Sequence, residues 1–344
     1  MRRRTLCLLS LICGVVALTE AGLALGQDGR DVWAFFGQEL PLTAADRQRL
    51  ATRGNAIVRM VPAKAGQMAV IGVTRLETSP QNFVAWINDI AGLKRSAQTP
   101  ALGRFSDPPV LADLDGLVLD QRDLDAIRQC TPSRCALRLS ADEIERFQRV
   151  GGAAPAAAVH EEFRRILLAR LERYRSSGLA GMPIPAGRRA EPPASVFNAL
   201  LTASPFIKAG LPVLASWLDD VPGTDHAFDS FFYWSKESYG DPRSAITLMH
   251  VVIARQPSSG SAPEVVVVGK QIFATRYLNG ALTVTALARD GDRRYLVYLY
   301  RAQLDALRGL FGGFRRSAIE SRLKDRTPAL LQELRLRIEG GPPK

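Results

Sequence analysis

The chain has 344 residues, with 45 lysines and arginines against 34 aspartates and glutamates, and a formal net charge of +11. An apolar fraction of 47% is ordinary for a folded protein, which excludes wholesale disorder and leaves room for one large domain or two smaller ones. The basic excess comes without a nucleic-acid recognition motif, so it speaks for solvated arginines or for attraction to an anionic envelope surface, and against a nucleic-acid partner.

The N-terminus predicts export. Arg2, Arg3 and Arg4 precede an apolar run over residues 6–18, and Ala24, Leu25 and Gly26 supply the small residues of a cleavage site. Residues 1–26 therefore read as a secretory signal peptide, and the mature chain is expected to be periplasmic or secreted. Its removal takes away three arginines and one glutamate, which leaves a net charge of +9. No later apolar run is long enough to predict a membrane span. Cys7 and Cys13 leave with the signal, and Ile12 before Cys13 argues against lipid attachment. Cys130 and Cys135 remain in a C-x4-C spacing, which in an oxidising compartment predicts a local disulfide; no partner residues nearby suggest a metal, and no cofactor is expected.

Residues 27–99 read as a helix, two strands and a helix contributing to a sheet. Thr43 predicts a helix cap, residues 56–61 and 68–73 two strands around a turn at Gly66, and Ser79-Pro80 a helix start. Residues 100–240 read as a helical region. It holds a helix opened by Asp120, a capping box at Ser140 and Glu143, a long helix over residues 155–174, and a Pro/Gly/Arg-rich connector at 183–193 that is the best candidate boundary. Residues 241–344 read as an antiparallel meander and a C-terminal helix. Asn279-Gly280 predicts one hairpin turn and Asp290-Gly291-Asp292 another. Pro328 is expected to kink or restart the last helix.

This predicts an α+β fold, an antiparallel sheet packed by a C-terminal helix, with a large helical insertion or a second helical region. The stretch Val70-Ile71-Gly72-Val73-Thr74-Arg75-Leu76 leading into Ser79-Pro80-Gln81-Asn82-Phe83, together with the meander and the helix after Gly312-Gly313-Phe314, resembles the START-like, or helix-grip, superfamily. The resemblance implies a curved sheet, a closing C-terminal helix and an apolar cavity between them.

No nucleophile elbow, zinc-binding helix or phosphate-binding glycine loop is present. The aromatic run Phe231-Phe232-Tyr233-Trp234 reads as core or as the wall of a ligand pocket, with Lys236 and Glu237 able to place a charge at its mouth. By alternation His250 shares a face with Leu248 and Val252, and Tyr298 and Tyr300 share one with Leu296. Tyr233, Trp234, His250, Tyr298 and Tyr300 are the candidate ligand-binding residues, and His250 is the one candidate catalytic residue. Arg276 and Arg301 end strands and read as surface cations or contacts for an acidic head group. His160 reads as a helix-surface histidine, and Asp225, His226 and Asp229 as a loop cluster. The reading this supports is an exported, non-enzymatic protein that binds a lipid or other hydrophobic ligand. An acid–base enzyme using His250 in the same cavity, and an envelope interaction protein, are the alternatives.

Overall fold

The structure, a computed structural model, describes residues 31–52, 54–187, 190–219, 227–238, 243–256, 262–308 and 312–343. Residues 1–26, read above as a signal peptide and holding Cys7 and Cys13, and the pair Asp225 and His226, lie outside the described residues. Helices α1 (Val32–Phe36) and α2 (Ala44–Ala51) lead into the hairpin of β1 (Ala56–Val61) and β2 (Gln67–Arg75). Thr43 and Asp46 cap α2 reciprocally, so two of its end donors are satisfied. Gly66 turns the hairpin at φ +79°, where a Cβ would be strained. Ser79 caps α3 (Pro80–Asn88), as expected; the chain then breaks at Asp89, whose carboxylate caps a separate α4 (Ile90–Lys94).

Strand β3 (Ala101–Arg104) comes next, followed by α5 (Gln121–Arg128), α6 (Ala141–Val150), α7 (Ala156–Ser177), α8 (Pro193–Thr202), α9 (Pro205–Gly210) and α10 (Pro212–Asp219). The meander is β4 (Asp229–Glu237), β5 (Ala245–Arg255), β6 (Val265–Ala274), β7 (Leu278–Asp290) and β8 (Arg293–Leu304), and α11 (Gly312–Glu339) ends the chain. All eight strands form one antiparallel sheet in the order β1-β2-β8-β7-β6-β5-β4-β3. The protein is α+β, with eleven α-helices among the described residues and α11 packed against the sheet. None of the described helices is long and apolar enough to cross a membrane.

The sheet is covered on both faces. On one face Ile71, Leu248, Val268, Val284 and Leu299 pack with Phe163, Leu167, Leu171 and Leu200 of α7 and α8. On the other, Phe231, Val251, Val267 and Leu296 pack with Phe83 and Ile87 of α3 and with Leu331 and Ile338 of α11. Strands β5 and β6 are therefore buried almost without interruption, and each large apolar side chain so removed from water contributes about 1.5–3 kcal/mol. A disulfide joins Cys130 and Cys135 beside the helical layer, as the spacing predicts.

Helix α11 is held at its C-terminal half. Thr327, Leu331, Arg335 and Ile338 are its buried stripe. Asn82 Nδ2 donates to the Ile338 carbonyl at 2.8 Å, Trp86 Nε1 to that of Gly341 at 2.6 Å, and Arg337 Nη1 to that of Gly92 at 3.0 Å. The first half is tied to the β1–β2 hairpin by Arg316, whose Nη2 donates to the Gln67 carbonyl at 2.8 Å, while Ile319 and Leu323 there are half-buried and Phe314 is 82% exposed.

Three expectations are corrected. Residues 100–240 are not wholly helical, because β3 and β4 belong to the sheet. A four-residue edge strand is too short to show a period, and β4 carries aromatics on both faces, which hides its alternation. Asn279-Gly280 is not the hairpin turn; it lies inside β7 beside a bulge, and the chain reverses over residues 275–277. Gly280 is needed there for another reason: a Cβ would meet Val196 Cγ1 of α8 at 2.7 Å. Pro328 does not restart α11. It and Lys324, whose carbonyl loses its helical partner, both face solvent, so water satisfies that carbonyl and the helix continues.

A Cβ at Gly72 would approach Leu331 Cδ1 to 2.7 Å and Thr327 Cγ2 to 3.3 Å. Gly72→Val is therefore expected to push α11 off β2 and to destabilise the protein by about 1–3 kcal/mol, measured as a lowered urea midpoint. An unchanged midpoint would mean that α11 is not seated on Gly72.

Candidate functional site

Side chains alternate along a strand, so neighbours Tyr233 and Trp234 point to opposite faces of a sheet that is covered on both. The five candidate ligand residues consequently do not share one cavity. Tyr233, Tyr298 and Tyr300 lie on the α11 face, whereas Trp234 and His250 lie beneath the helical layer.

On the α11 face, α4 brings Lys94 to β4. Its Nζ donates to Glu237 Oε1 at 2.7 Å and to the Tyr233 hydroxyl at 3.1 Å. Ser235 Oγ donates to the same Glu237 oxygen at 2.8 Å and lies 2.9 Å from Thr247 Oγ1. Register then places Tyr298 opposite Thr285 and Tyr300 opposite Thr283, in central strands. These four residues are half-buried while the residues between them are buried, so the middle of this face keeps access to solvent. Gln271 lies one strand further on, buried, and its Oε1 has no donor among the described residues.

Electrostatics keep the three phenols protonated. Burial, and then the balance of Lys94 against Glu237 and Tyr233, pushes Tyr298 up to about 12. Burial likewise raises Tyr233 and Tyr300. Burial alone would lower Lys94, but Glu237 and Tyr233 outweigh it and the ammonium is held charged. The face thus offers neutral hydroxyl donors, one fixed ion pair and an orphan carbonyl oxygen among Met249, Leu331 and Leu334. This arrangement is suited to holding a molecule by hydrogen bonds and apolar contact.

The opposite face carries a buried transverse row. Phe232, His250, Lys270, Leu282 and Arg301 are successive cross-strand neighbours. The His250 ring stacks on Phe232 with centroids 4.4 Å apart, and its Nδ1 lies 2.9 Å from the Tyr174 hydroxyl. Since that hydroxyl is satisfied by donating, Nδ1 accepts and the ring proton is assigned to Nε2, which has no acceptor among the described residues. Lys270 donates to the Leu218 carbonyl and lies over the Phe197 and Tyr174 rings at 4.6 and 5.3 Å. Arg301 meets Glu39 Oε1 at 3.1 Å and Ser204 Oγ at 3.1 Å; burial, partly offset by Arg301, pushes Glu39 up to about 7. Trp234 Nε1 donates to the Asp113 carbonyl at 2.8 Å.

Sequence reasoning places other residues less well. Arg276 and Arg301, expected at the surface, are 6% and 1% exposed, because Arg276 in the β6–β7 turn and Arg301 within β8 each meet a buried carboxylate. Lys236 points away from Glu237 and pairs with Asp120. His160 is half-buried near the Leu119 carbonyl, and Asp229 pairs with Arg255. Lys94, Thr247, Gln271, Thr283 and Thr285, and on the far face Tyr174 and Lys270, carry no motif. The threonines did leave a signal: Thr283 and Thr285 alternate with Leu282, Val284 and Ala286, a period of two that marks one polar face.

Compared with known proteins, the sequence matches no family model, and neither a curated protein nor a solved structure matches it significantly.

Burial, and then the Lys270 ammonium, lower His250 from 6.5 to about 3. In the unfolded chain the ring takes up a proton below about 6.5, and in the folded chain it does not until about 3. His250 therefore makes stability fall as pH drops through that window, by up to about 1.4 kcal/mol per unit. The His250→Gln variant is expected to lose roughly 2 kcal/mol less than the wild type between about pH 7 and pH 5, read from urea midpoints. Parallel curves would place a proton on His250 in the folded state.

Proposed function

We propose that the protein is exported and binds a hydrophobic molecule with a hydrogen-bonding end, such as a lipid, in a groove between the sheet and the first half of α11. One observation carries this reading. Tyr298, Tyr300, Thr283 and Thr285 keep solvent access in the central strands β7 and β8, between buried neighbours, and the half-buried Ile319 and Leu323 belong to the stretch of α11 before its buried stripe. Apolar groups would hold the body of the ligand, and the tyrosine hydroxyls with Gln271 Oε1 would meet its polar end. Export is supported by the three arginines, the apolar run and the small residues of positions 1–26, and by the disulfide. Kinship with the helix-grip superfamily is supported by the order of parts: a strand hairpin, a helix pair, the six strands β3 to β8 whose last returns beside β2, and a closing helix. The helical layer is then an insertion between β3 and β4.

The His250 alternative gains a hydroxyl partner in Tyr174, but both groups lie on the face opposite α11, so an enzyme using them would not share this groove.

The test is titration of a dansyl-labelled fatty acid into detergent-free mature protein, with native mass spectrometry of the same preparation. Saturable fluorescence enhancement and a lipid adduct lost on denaturation are expected. Thr285→Trp, which fills the groove from the sheet, is expected to weaken probe binding about 10-fold or more, a change of about 1.4 kcal/mol, with its thermal unfolding preserved. Absence of saturable binding, or equal affinity in the variant, would overturn the reading.

A further inference from the structure

A second concavity lies where the end of the β6–β7 hairpin meets the disulfide loop, on the sheet side away from the α11 groove. Its volume is about 380 Å³, and its lining carries Arg138, Arg243 and Arg276; Arg138 pairs with Asp305 of the same lining at 3.0 Å, and Arg276 pairs with Asp123 behind it. The three arginines come from the segment after the disulfide, the segment before β5 and the turn after β6, so guanidinium groups from three separate stretches reach one cleft.

Two further observations bear on what the cleft would hold. Arg276 is 6% exposed. Its Nη2 donates to Asp123, its Nη1 to the Ser244 carbonyl at 2.7 Å, and its Nε–H has no acceptor among the described residues. A buried N–H of a charged group left unsatisfied is costly, so Arg276 is held in this wall with hydrogen-bonding capacity to spare. Next to it, Tyr277 has φ +66°, a left-handed conformation that a bulky residue rarely adopts. The strain is held in place: the Tyr277 carbonyl accepts from Asp305 N at 3.2 Å, and its hydroxyl donates to the Arg243 carbonyl at 3.2 Å. The opposite wall includes Cys135, so the Cys130–Cys135 bond stiffens it.

We propose that this cleft binds a phosphate group, carried either by a soluble phosphomonoester or by a lipid head group. A phosphate presents acceptors in several directions and takes N–H groups from separate guanidiniums, whereas a carboxylate offers two oxygens in one plane. The site is independent of the groove under α11, and neither depends on the other.

The experiment is isothermal titration of mature protein with glycerol phosphate, alongside co-sedimentation with phosphatidylcholine vesicles with and without phosphatidic acid. Saturable binding to glycerol phosphate alone assigns the site to a soluble ligand. Sedimentation only with vesicles containing phosphatidic acid assigns it to a head group. The double variant Arg138→Gln/Arg243→Gln is expected to weaken whichever binding is seen about 10-fold or more. Circular dichroism would establish that it is folded. Should the double variant fail to fold, the single Arg243→Gln change at an exposed position gives the same comparison with a loss of several-fold. No saturable binding in either arm, or affinity unchanged in the folded variants, would overturn the proposal.

Discussion

Burial of one sheet on both faces is the constraint from which the rest follows. A strand has two sets of side chains, and here each set answers to a different layer. Residues directed at α3, α4 and α11 build a face with tyrosines, threonines and an ion pair. Residues directed at α5–α10 build a dense apolar layer crossed by His250, Lys270 and Arg301. One-residue alternation thereby gives Tyr233 and Trp234 separate environments, and no shift of register could bring them together without turning both cores inside out.

The two faces also differ in how polar groups are satisfied. Under the helical layer, charges are paired or capped: Arg170 with Glu143, Arg276 with Asp123, Arg301 with Glu39, and Lys270 on a backbone carbonyl. Burial of such groups gains little net stability, but removal of one partner leaves the other stranded, so these pairs fix where each helix docks. On the α11 face the Gln271 oxygen has no donor among the described residues, and Tyr298 and Tyr300 stay half-buried. Helix α11 is fastened to α3 and α4 through its last turns, and Arg316 ties its first turns to the β1–β2 hairpin.

Much of the architecture was legible in the chain. Capping residues Thr43, Ser79 and Ser140 marked helix starts because their side chains satisfy end donors wherever they occur. The apolar periods of β5 and β6 marked strands, and the C-x4-C spacing marked the disulfide. What was not legible depends on distant packing. Gly280 looks like a turn residue locally but serves the approach of α8, and Arg276 looks like a surface cation until Asp123 is brought to it. Of the candidate ligand residues the strand faces were legible, since alternation assigns them. Which layer would cover each face was not, because the helical stretch between β3 and β4 has no sequence signal for the face on which it lands.

The strand order has a consequence for how the chain acquires its structure. Strand β2 pairs with β8, so Gln67 is joined to Gln303 and Arg75 to Tyr295, with the whole helical stretch between them. Closing so long a loop spends chain entropy before any contact repays it, and topologies dominated by distant pairings fold slowly. The β1–β2 hairpin cannot find its neighbour until nearly the entire polypeptide has been synthesised. A chain that stays unfolded until its last strands appear remains threadable while it is being made, and the same delay leaves the apolar edges of β2 and β8 in need of protection until they meet.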